Sequence, residues 1–329
     1  MIYNGPPDAH DIEAAWNRIG DSIVTTPLLE SDLLNAEVGG RVLVKAEVLQ
    51  RTGSFKFRGA CNRLKRLSAA ERARGVVAYS SGNHAQGIAA AAQEVGTTAI
   101  IVMPVAAPAI KVARCTALGA EVILHDGDRD SMVVRATDLA NAQGRVLVPP
   151  FDDTDIIAGQ GTVGLEIAYQ AKQMKVTPDA VIVPCSGGGL SAGIALALED
   201  RLPGTALYTA EPVGFDDMAR SLRDGERLSN TPGHTTLCDA LMVPRPGALT
   251  FPVLRRLARG GFTVSDDDVL RAMANAFIHF KLVVEPGGAA ALATLFNGQW
   301  NPRGRTTIVV ASGGNADPAT FATALTRFA

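Results

Sequence analysis

Short β-branched runs alternate with alanine-rich segments of helical periodicity along nearly the whole chain, and this alternation limits the fold more than any other feature. Strands that read as continuous apolar runs are buried on both faces, and the helices between them supply the cover. That is the arrangement of an α/β protein with open, mostly parallel sheets. Strands are predicted at residues 42–48, 76–80, 99–103, 121–124, 146–148, 180–184, 207–210 and 307–311. Helices are predicted at 55–67, 83–95, 109–118, 132–142, 164–172, 190–198 and 266–278, each with apolar residues three and four apart. Ser265 followed by Asp266-Asp267-Asp268 places acids in a first helical turn, where the macrodipole favours them. The stretch from Gly75 to Pro149 is a self-contained alternation of four strands with helices. Residues 75–149 are therefore expected to form a small domain, inserted into a large one made of residues 1–74 and 150–329.

Size and charge bound what such a chain does. With 329 residues, 47% hydrophobic and 19% charged, it has the composition of a globular protein with a sizeable core. Thirty-one basic residues against 33 acidic ones leave a net charge of −2, so no field draws it to polyanions and no nucleic acid is expected. The most apolar stretch, 97–110, is broken by Pro104 and Pro108 and falls short of the roughly 20 residues that span a bilayer. The first residues carry acids before any base and no signal-like apolar run. Cys61, Cys115, Cys185 and Cys238 stand far apart, without a C-x-x-C pair. A reduced, cytoplasmic chain without membrane partner or structural zinc is expected.

In an open α/β sheet, ligands bind where strands end and helix N-termini present free N–H groups. Three such junctions stand out. Pro184-Cys185-Ser186-Gly187-Gly188-Gly189-Leu190 follows an apolar strand and precedes a helix; its adjacent glycines can turn backbone N–H groups onto a phosphate, or simply form a tight turn. Gly159-Gln160-Gly161-Thr162-Val163-Gly164 matches G-x-G-x-x-G, but a polar turn, Asp152 to Asp155, stands where the dinucleotide fingerprint needs a buried strand. Its glycines are expected to let a helix start pack closely against the sheet. Ala311-Ser312-Gly313-Gly314-Asn315 also follows a strand, and Ser312 could orient a heteroatom of a bound ring.

Two further junctions carry chemistry. Thr52-Gly53-Ser54-Phe55-Lys56-Phe57-Arg58-Gly59 puts a lysine in a first helical turn, with Ser54 available as N-cap. A helix N-terminus is worth only ~0.3–1 kcal/mol against a cation, and one pKa unit is about 1.36 kcal/mol. The dipole alone therefore leaves the lysine protonated, whereas imine formation with a carbonyl cofactor neutralises it and, once freed, the amine is a base. Tyr79-Ser80-Ser81-Gly82-Asn83-His84 gathers hydroxyls, an amide and helix N–H groups suited to a carboxylate. His84 lacks a second His or Cys at ligand spacing and reads as a positioned donor rather than a metal ligand.

These elements together resemble the threonine dehydratase and serine racemase group of pyridoxal-phosphate enzymes, fold type II, with the tryptophan-synthase-β-like fold. The resemblance runs from about Thr26 to Asp317 and rests on Ser54-Phe55-Lys56-Phe57-Arg58-Gly59-Ala60, Ser80-Ser81-Gly82-Asn83-His84, Pro150-Phe151-Asp152-Asp153 with Ile157 to Thr162, Ser186-Gly187-Gly188-Gly189-Leu190, Glu285-Pro286-Gly287-Gly288-Ala289 and Ser312-Gly313-Gly314-Asn315. Each is weak alone; their shared order is specific. The resemblance implies that Lys56 binds pyridoxal 5'-phosphate as an imine, that Phe55 packs on its ring, and that Asn83 bonds the ring hydroxyl. Ser186, Gly187, Gly188, Gly189 and Leu190 would hold the phosphate, and Ser312 the pyridine nitrogen. Ser80, Asn83 and His84 would hold the substrate carboxylate, and Ser81 would face Lys56 across the substrate as a second acid/base. Glu211, the Phe215 carbonyl and Asp217 match a divalent-cation site whose hard oxygens suit magnesium, manganese or calcium. A homodimer is implied by family analogy.

The activity so implied is a lyase reaction: removal of the β-hydroxyl and amine of threonine, serine or 3-hydroxyaspartate, giving a 2-oxo acid and ammonia. The rivals are a serine or aspartate racemase on the same groups, a cysteine-forming sulfhydrylase, and a ligand-binding homologue without catalysis. Phe57-Arg58-Gly59 and His84 look like the dehydratase branch rather than the sulfhydrylase, and retention of Lys56 speaks against a mere binder. Arg129 is a candidate for a side-chain carboxylate, its plain reading being a solvated loop arginine. Two departures from the family pattern are visible: Cys238-Asp239-Ala240 stands for Ala-Asp-Gly, and Ser186 replaces the first glycine of a four-glycine loop. With the chain ending at Ala329, no regulatory domain and no isoleucine feedback are expected.

Overall fold

The computed structural model describes residues 5–80, 82–107 and 109–329. In chain order its strands are β1 Leu28–Glu30, β2 Arg41–Ala46, β3 Val76–Tyr79, β4 Ala99–Pro104, β5 Glu121–His125, β6 Val146–Leu147, β7 Ala180–Pro184, β8 Ala206–Pro212, β9 Ala258–Val264 and β10 Thr306–Ala311. They form two sheets. One has the order β1-β2-β10-β7-β8-β9, parallel except for the β1–β2 pair, and the other, entirely parallel, has the order β5-β4-β3-β6. The inner strands β2, β10 and β7 of the first sheet are buried on both faces and read as nearly continuous apolar runs. Val42, Val44 and Ala46 point into one apolar layer, shared with helices Asp266–Phe280 and Pro286–Ala293. Leu43, Val181, Val183, Ile308 and Val310 point into the opposite layer, under helices Thr154–Gln173 and Gly189–Arg201.

The α/β architecture follows the sequence pattern, with informative exceptions. Edge strand β9 contains Arg259, Gly260 and Gly261 and carries no strand signal; its pairing with β8 supplies the conformation. Helix Pro286–Ala293 opens on Pro-Gly-Gly yet is buried along its whole length, so tertiary packing overrides weak propensity. The sharpest correction concerns the G-x-G-x-x-G stretch. Its helix begins at Thr154, not 164, because the Asp153 carboxylate caps it by accepting the N–H groups of Asp155 and Ile156, both at 2.9 Å. The glycines thus lie within the helix and pack against other helices rather than letting a helix start meet the sheet. A Cβ at Gly159 would stand 2.7 Å from the Gly59 Cα, and one at Gly164 would stand 2.7 Å from the Ala197 Cβ.

All four cysteines are buried and free. Among the described residues no helix is long and apolar enough to cross a membrane.

The helix contact gives a stability test. A Cβ on Gly193 would lie 2.6 Å from both the Gly161 nitrogen and the Ile157 carbonyl oxygen, rigid backbone atoms that cannot swing away. Gly193→Ala is expected to lower unfolding stability by about 1–3 kcal/mol through overpacking, read as a lower urea midpoint at constant slope.

Candidate active site

Strands β2, β10 and β7 lie side by side, so the segments leaving their C-terminal ends converge. The segment after β2 passes two short 3-10 turns, with Thr52 at φ 62° and Gly53 at φ 76°, before entering helix Lys56–Lys65. It is stitched to the segment after β10: Phe55 N–H donates to the Ser312 carbonyl at 3.1 Å, Gly314 N–H to the Gly53 carbonyl at 2.8 Å, and Ser54 bridges Gly313. Ser54 is therefore not the helix cap expected from sequence. Phe55 occupies that position without a side-chain cap, and the Ser54 hydroxyl is buried with no partner.

Lys56 projects into a cavity whose wall includes Phe55, Ser80, Asn83, His84, Ser186 to Leu190 and Ser312. Its Nζ donates to the Pro150 carbonyl at 2.7 Å and stands 5.1 Å from the Phe55 ring centroid. Burial without a carboxylate partner, followed by the nearby positive charge of Arg129, pulls the ammonium down to about 8. The environment thus supplies what the helix dipole could not.

Across the cavity, Gly188 caps helix Gly189–Arg201 with φ 92°, a conformation that favours glycine. A Cβ on Gly187 would enter the Phe151 ring at 2.4 Å. The Ser186 hydroxyl is buried without a partner among the described residues, beside the N–H groups at the start of a 13-residue helix. A glycine cradle, an orphaned hydroxyl and a helix N-terminus fit a phosphate group.

The third side is the start of helix Asn83–Val95, capped by Gly82 with no side-chain bond. Ser81 lies outside the described residues. The Asn83 amide is doubly committed, its Nδ2 donating to Glu285 Oε1 at 2.5 Å and its Oδ1 accepting from Asn315 Nδ2 at 2.8 Å, which leaves one amide N–H for a ligand. His84 is held neutral, with its pKa pushed down to about 3 by burial and then by Lys56. Nε2 meets the Val148 carbonyl at 3.0 Å, so the ring proton is spent there and Nδ1 carries a bare lone pair. The imidazole has no donor left for a carboxylate; the backbone N–H groups at the helix start remain.

Sequence reasoning assigned no role to several groups that line this cavity. Glu285 came into view only within a motif; here burial, and then Asp239, raise its carboxyl to about 7 while it accepts from Asn83. Lys111 is tied to Asp239 at 2.6 Å. Tyr79 ends β3 at the cavity wall. Arg129 is not in a loop: it is the first residue of helix Arg129–Gln143, capped by Asp128. Ala240, the departure from the family pattern, also lines the cavity.

Beneath the cradle lies an acidic pair. Glu211 is fully buried and accepts from the N–H groups of Met218 at 3.0 Å and Ala219 at 2.7 Å. Asp217 Oδ1 accepts from Asn230 at 2.5 Å, whereas Oδ2 is buried with no partner among the described residues. Burial drives both carboxyls upward, Asp217 to about 7. Met218 connects the pair to the cradle, since its Cε lies 2.8 Å from where a Gly188 Cβ would be. No cluster of three His, Cys, Asp or Glu occurs among the described residues. An orphaned carboxylate oxygen beside a second carboxylate nevertheless fits a hard cation.

Comparison with known proteins matches nearly the whole chain. The sequence profile of the pyridoxal-phosphate dependent enzymes matches residues 19–316. The chain belongs to that family. It is 40% identical over 317 residues to the L-threo-3-hydroxyaspartate ammonia-lyase of Pseudomonas sp, covering 96% of this chain and 98% of the relative. Serine racemase from Arabidopsis thaliana is 39% identical over 315 residues, covering 94% of this chain and 93% of the relative. The crystal structure of the T.th. threonine deaminase superposes with a TM-score of 0.89 at 43% identity, covering 94% of this chain and 99% of that one. Two-sheeted fold type II is thereby the architecture of this family member.

The depressed lysine has a direct readout. In cofactor-free protein, Lys56 should react with an amine-directed reagent with a midpoint near pH 8, because the neutral amine forms as pH rises through the lowered pKa. Arg129→Ala should move that midpoint upward by removing a like charge, whereas an unmoved midpoint would deny the electrostatic contact.

Proposed function

We propose that this chain is an ammonia-lyase that removes the β-hydroxyl and the amine from a β-hydroxy amino acid to give a 2-oxo acid and ammonia. The observation that carries it is Lys56, a half-buried amine of lowered pKa facing a glycine cradle and an uncapped helix start across one cavity. Pyridoxal phosphate bound there supplies an electron sink at the substrate α-carbon. Ser186 and the N–H groups of Gly187 to Leu190 would hold its phosphate, Phe55 would pack on its ring, the free Asn83 N–H would meet the ring hydroxyl, and Ser312 would share a hydrogen bond with the pyridine nitrogen. Ser80 and the backbone N–H groups of Asn83 and His84 hold the substrate α-carboxylate. Lys56 takes the α-proton at Nζ, an amine whose pKa near neutrality suits a general base. The β-hydroxyl leaves as water, taking up the proton that Lys56 had removed, and the released enamine adds one water to give the 2-oxo acid and ammonia. The small domain, residues 75–149, closes over the substrate and excludes bulk water.

A racemase on the same groups is the second reading, with Ser81 delivering a proton to the face opposite Lys56; likeness to serine racemase from Arabidopsis supports it. The Glu211, Phe215 and Asp217 oxygens hold magnesium, manganese or calcium under the cradle, supported by the orphaned Asp217 oxygen. A homodimer is supported by the exposed Leu33, Phe277 and Ile278, on elements joined by the Ser31 and His279 contact.

Purified protein should show a visible absorption band that Lys56→Ala abolishes, together with at least a 100-fold loss of oxo-acid release, on the order expected when an acid/base group is removed. Chiral analysis of recovered substrate separates the readings, since inversion outpacing oxo-acid release would favour the racemase. Adding magnesium or calcium to metal-stripped protein should raise its Tm, and Asp217→Asn should blunt that rise; equal responses in both would remove the cation from this position.

A further inference from the structure

The Gly187–Gly188 peptide carries no side chain at either end, so nothing local fixes which way its carbonyl points. Turned inward, that carbonyl would set a partial negative charge against a bound phosphate. The structure turns it outward. The Gly187 carbonyl accepts from the Thr250 hydroxyl at 2.5 Å and from the Gly247 N–H at 3.1 Å. Thr250 is fully buried, and both donors lie behind the cradle, outside the wall of the Lys56 cavity that Gly187 and Gly188 line. A planar trans peptide holds its N–H opposite its C=O, so this anchoring turns the Gly188 N–H toward the cavity. Among the described residues that N–H donates to no backbone carbonyl.

The anchor is itself held. Helix Thr250–Leu257 has no side-chain cap at its Leu249 start; instead the Asp152 carboxylate accepts the N–H groups of Ala248 and Leu249, both at 2.8 Å. Space around it is tight, since a Cβ on Gly247 would stand 2.6 Å from Asp152 Oδ1 and 2.7 Å from the Thr250 hydroxyl, and one on Gly188 would stand 2.8 Å from that hydroxyl. Asp152 follows Phe151, which packs against Gly187, and Pro150, whose carbonyl receives Lys56 Nζ. One short strap thus touches the lysine, the cradle and the anchor behind it.

We propose that Thr250, held in place by Asp152, is a positioning residue for the cofactor phosphate: it fixes the Gly187–Gly188 peptide with the Gly188 N–H facing the anion before the anion arrives. This rests on the cradle reading given above and not on the lyase reading, because binding alone tests it. The full-length chain, freed of cofactor, is titrated with pyridoxal 5'-phosphate and separately with pyridoxal, which offers Lys56 the same aldehyde without the phosphate. Wild-type protein should bind the phosphorylated form more tightly. Thr250→Val, which keeps the shape and loses the hydroxyl, should weaken pyridoxal 5'-phosphate about 10-fold, the lower end for one hydrogen bond to a charged group, and leave pyridoxal unchanged. The Gly247 N–H still satisfies the Gly187 carbonyl in that variant, so the fold is expected to survive, and Thr250→Ser should behave as wild type. Asp152→Asn should weaken the phosphorylated form selectively but by less, and it decides the matter should Thr250→Val not fold. Equal losses for the two aldehydes, or no loss for either, overturns the positioning role. Wild-type protein without preference for the phosphorylated form removes the cradle, and this role with it, whatever the reaction proves to be.

Discussion

Four charged side chains meet in the dry interior between β2, helix Lys56–Lys65 and helix Thr154–Gln173, and the placement of the reactive lysine depends on them. Arg58 forks onto Glu47 at 2.7 and 2.8 Å and reaches Glu166 at 2.8 Å, while Lys45 meets the other Glu166 oxygen at 2.5 Å. Thr26 and Gln170 take up remaining donors and acceptors. The cluster is neutral and all four groups are buried, so each charge is tolerable only while its partners remain; removing one member of such a group costs about 3–5 kcal/mol. Arg58 lies two residues beyond Lys56. The network therefore clamps the first turn of the lysine's helix to the sheet and to a neighbouring helix, and fixes where Nζ emerges.

From that fixed point the cavity is organised by unpaired groups. Two helix starts without side-chain caps face it, one at Gly188 and one at Gly82, and each offers free N–H groups to an anion. Between them stands an amine whose charge is discouraged by burial. Glu285 and Asn315 grip the Asn83 amide from both ends, so that its remaining N–H points one way. Arg114 in turn bonds Asn315 at 2.9 Å, which links helix Ala109–Ala117 to the same grip. Among the described residues, the unsatisfied polar atoms at the cavity include the Ser186 hydroxyl and the His84 Nδ1.

The parts legible in sequence are those where local chemistry and tertiary role coincide. Apolar strands between helical segments give the α/β class, and Ser186-Gly187-Gly188-Gly189 at a strand end signals a tight backbone turn into a helix start, which Gly188 makes at φ 92°. The family follows from several such junctions in a shared order. What misled were places where packing overrules local preference. The glycines at 159, 161 and 164 look like a loop but lie inside a helix, and backbone and side chains of neighbouring helices occupy the space that their side chains would fill. Ser54 looks like a cap, yet pairing with Gly313 turns its hydroxyl elsewhere. His84 looks like a donor to substrate until the Val148 carbonyl takes its proton.

By itself the sequence determined the alternation of strands and helices, the presence of a lysine at a helix start and the glycine turns, because each depends on residue type and near neighbours. Only the tertiary structure decided the electrostatics. A lysine brought to about 8, a neutral histidine and a carboxyl raised to about 7 at Glu285 all arise from groups distant in sequence gathered around one cavity. Charge in a low-dielectric interior is governed by what surrounds it in space, and spacing along the chain carries no record of that.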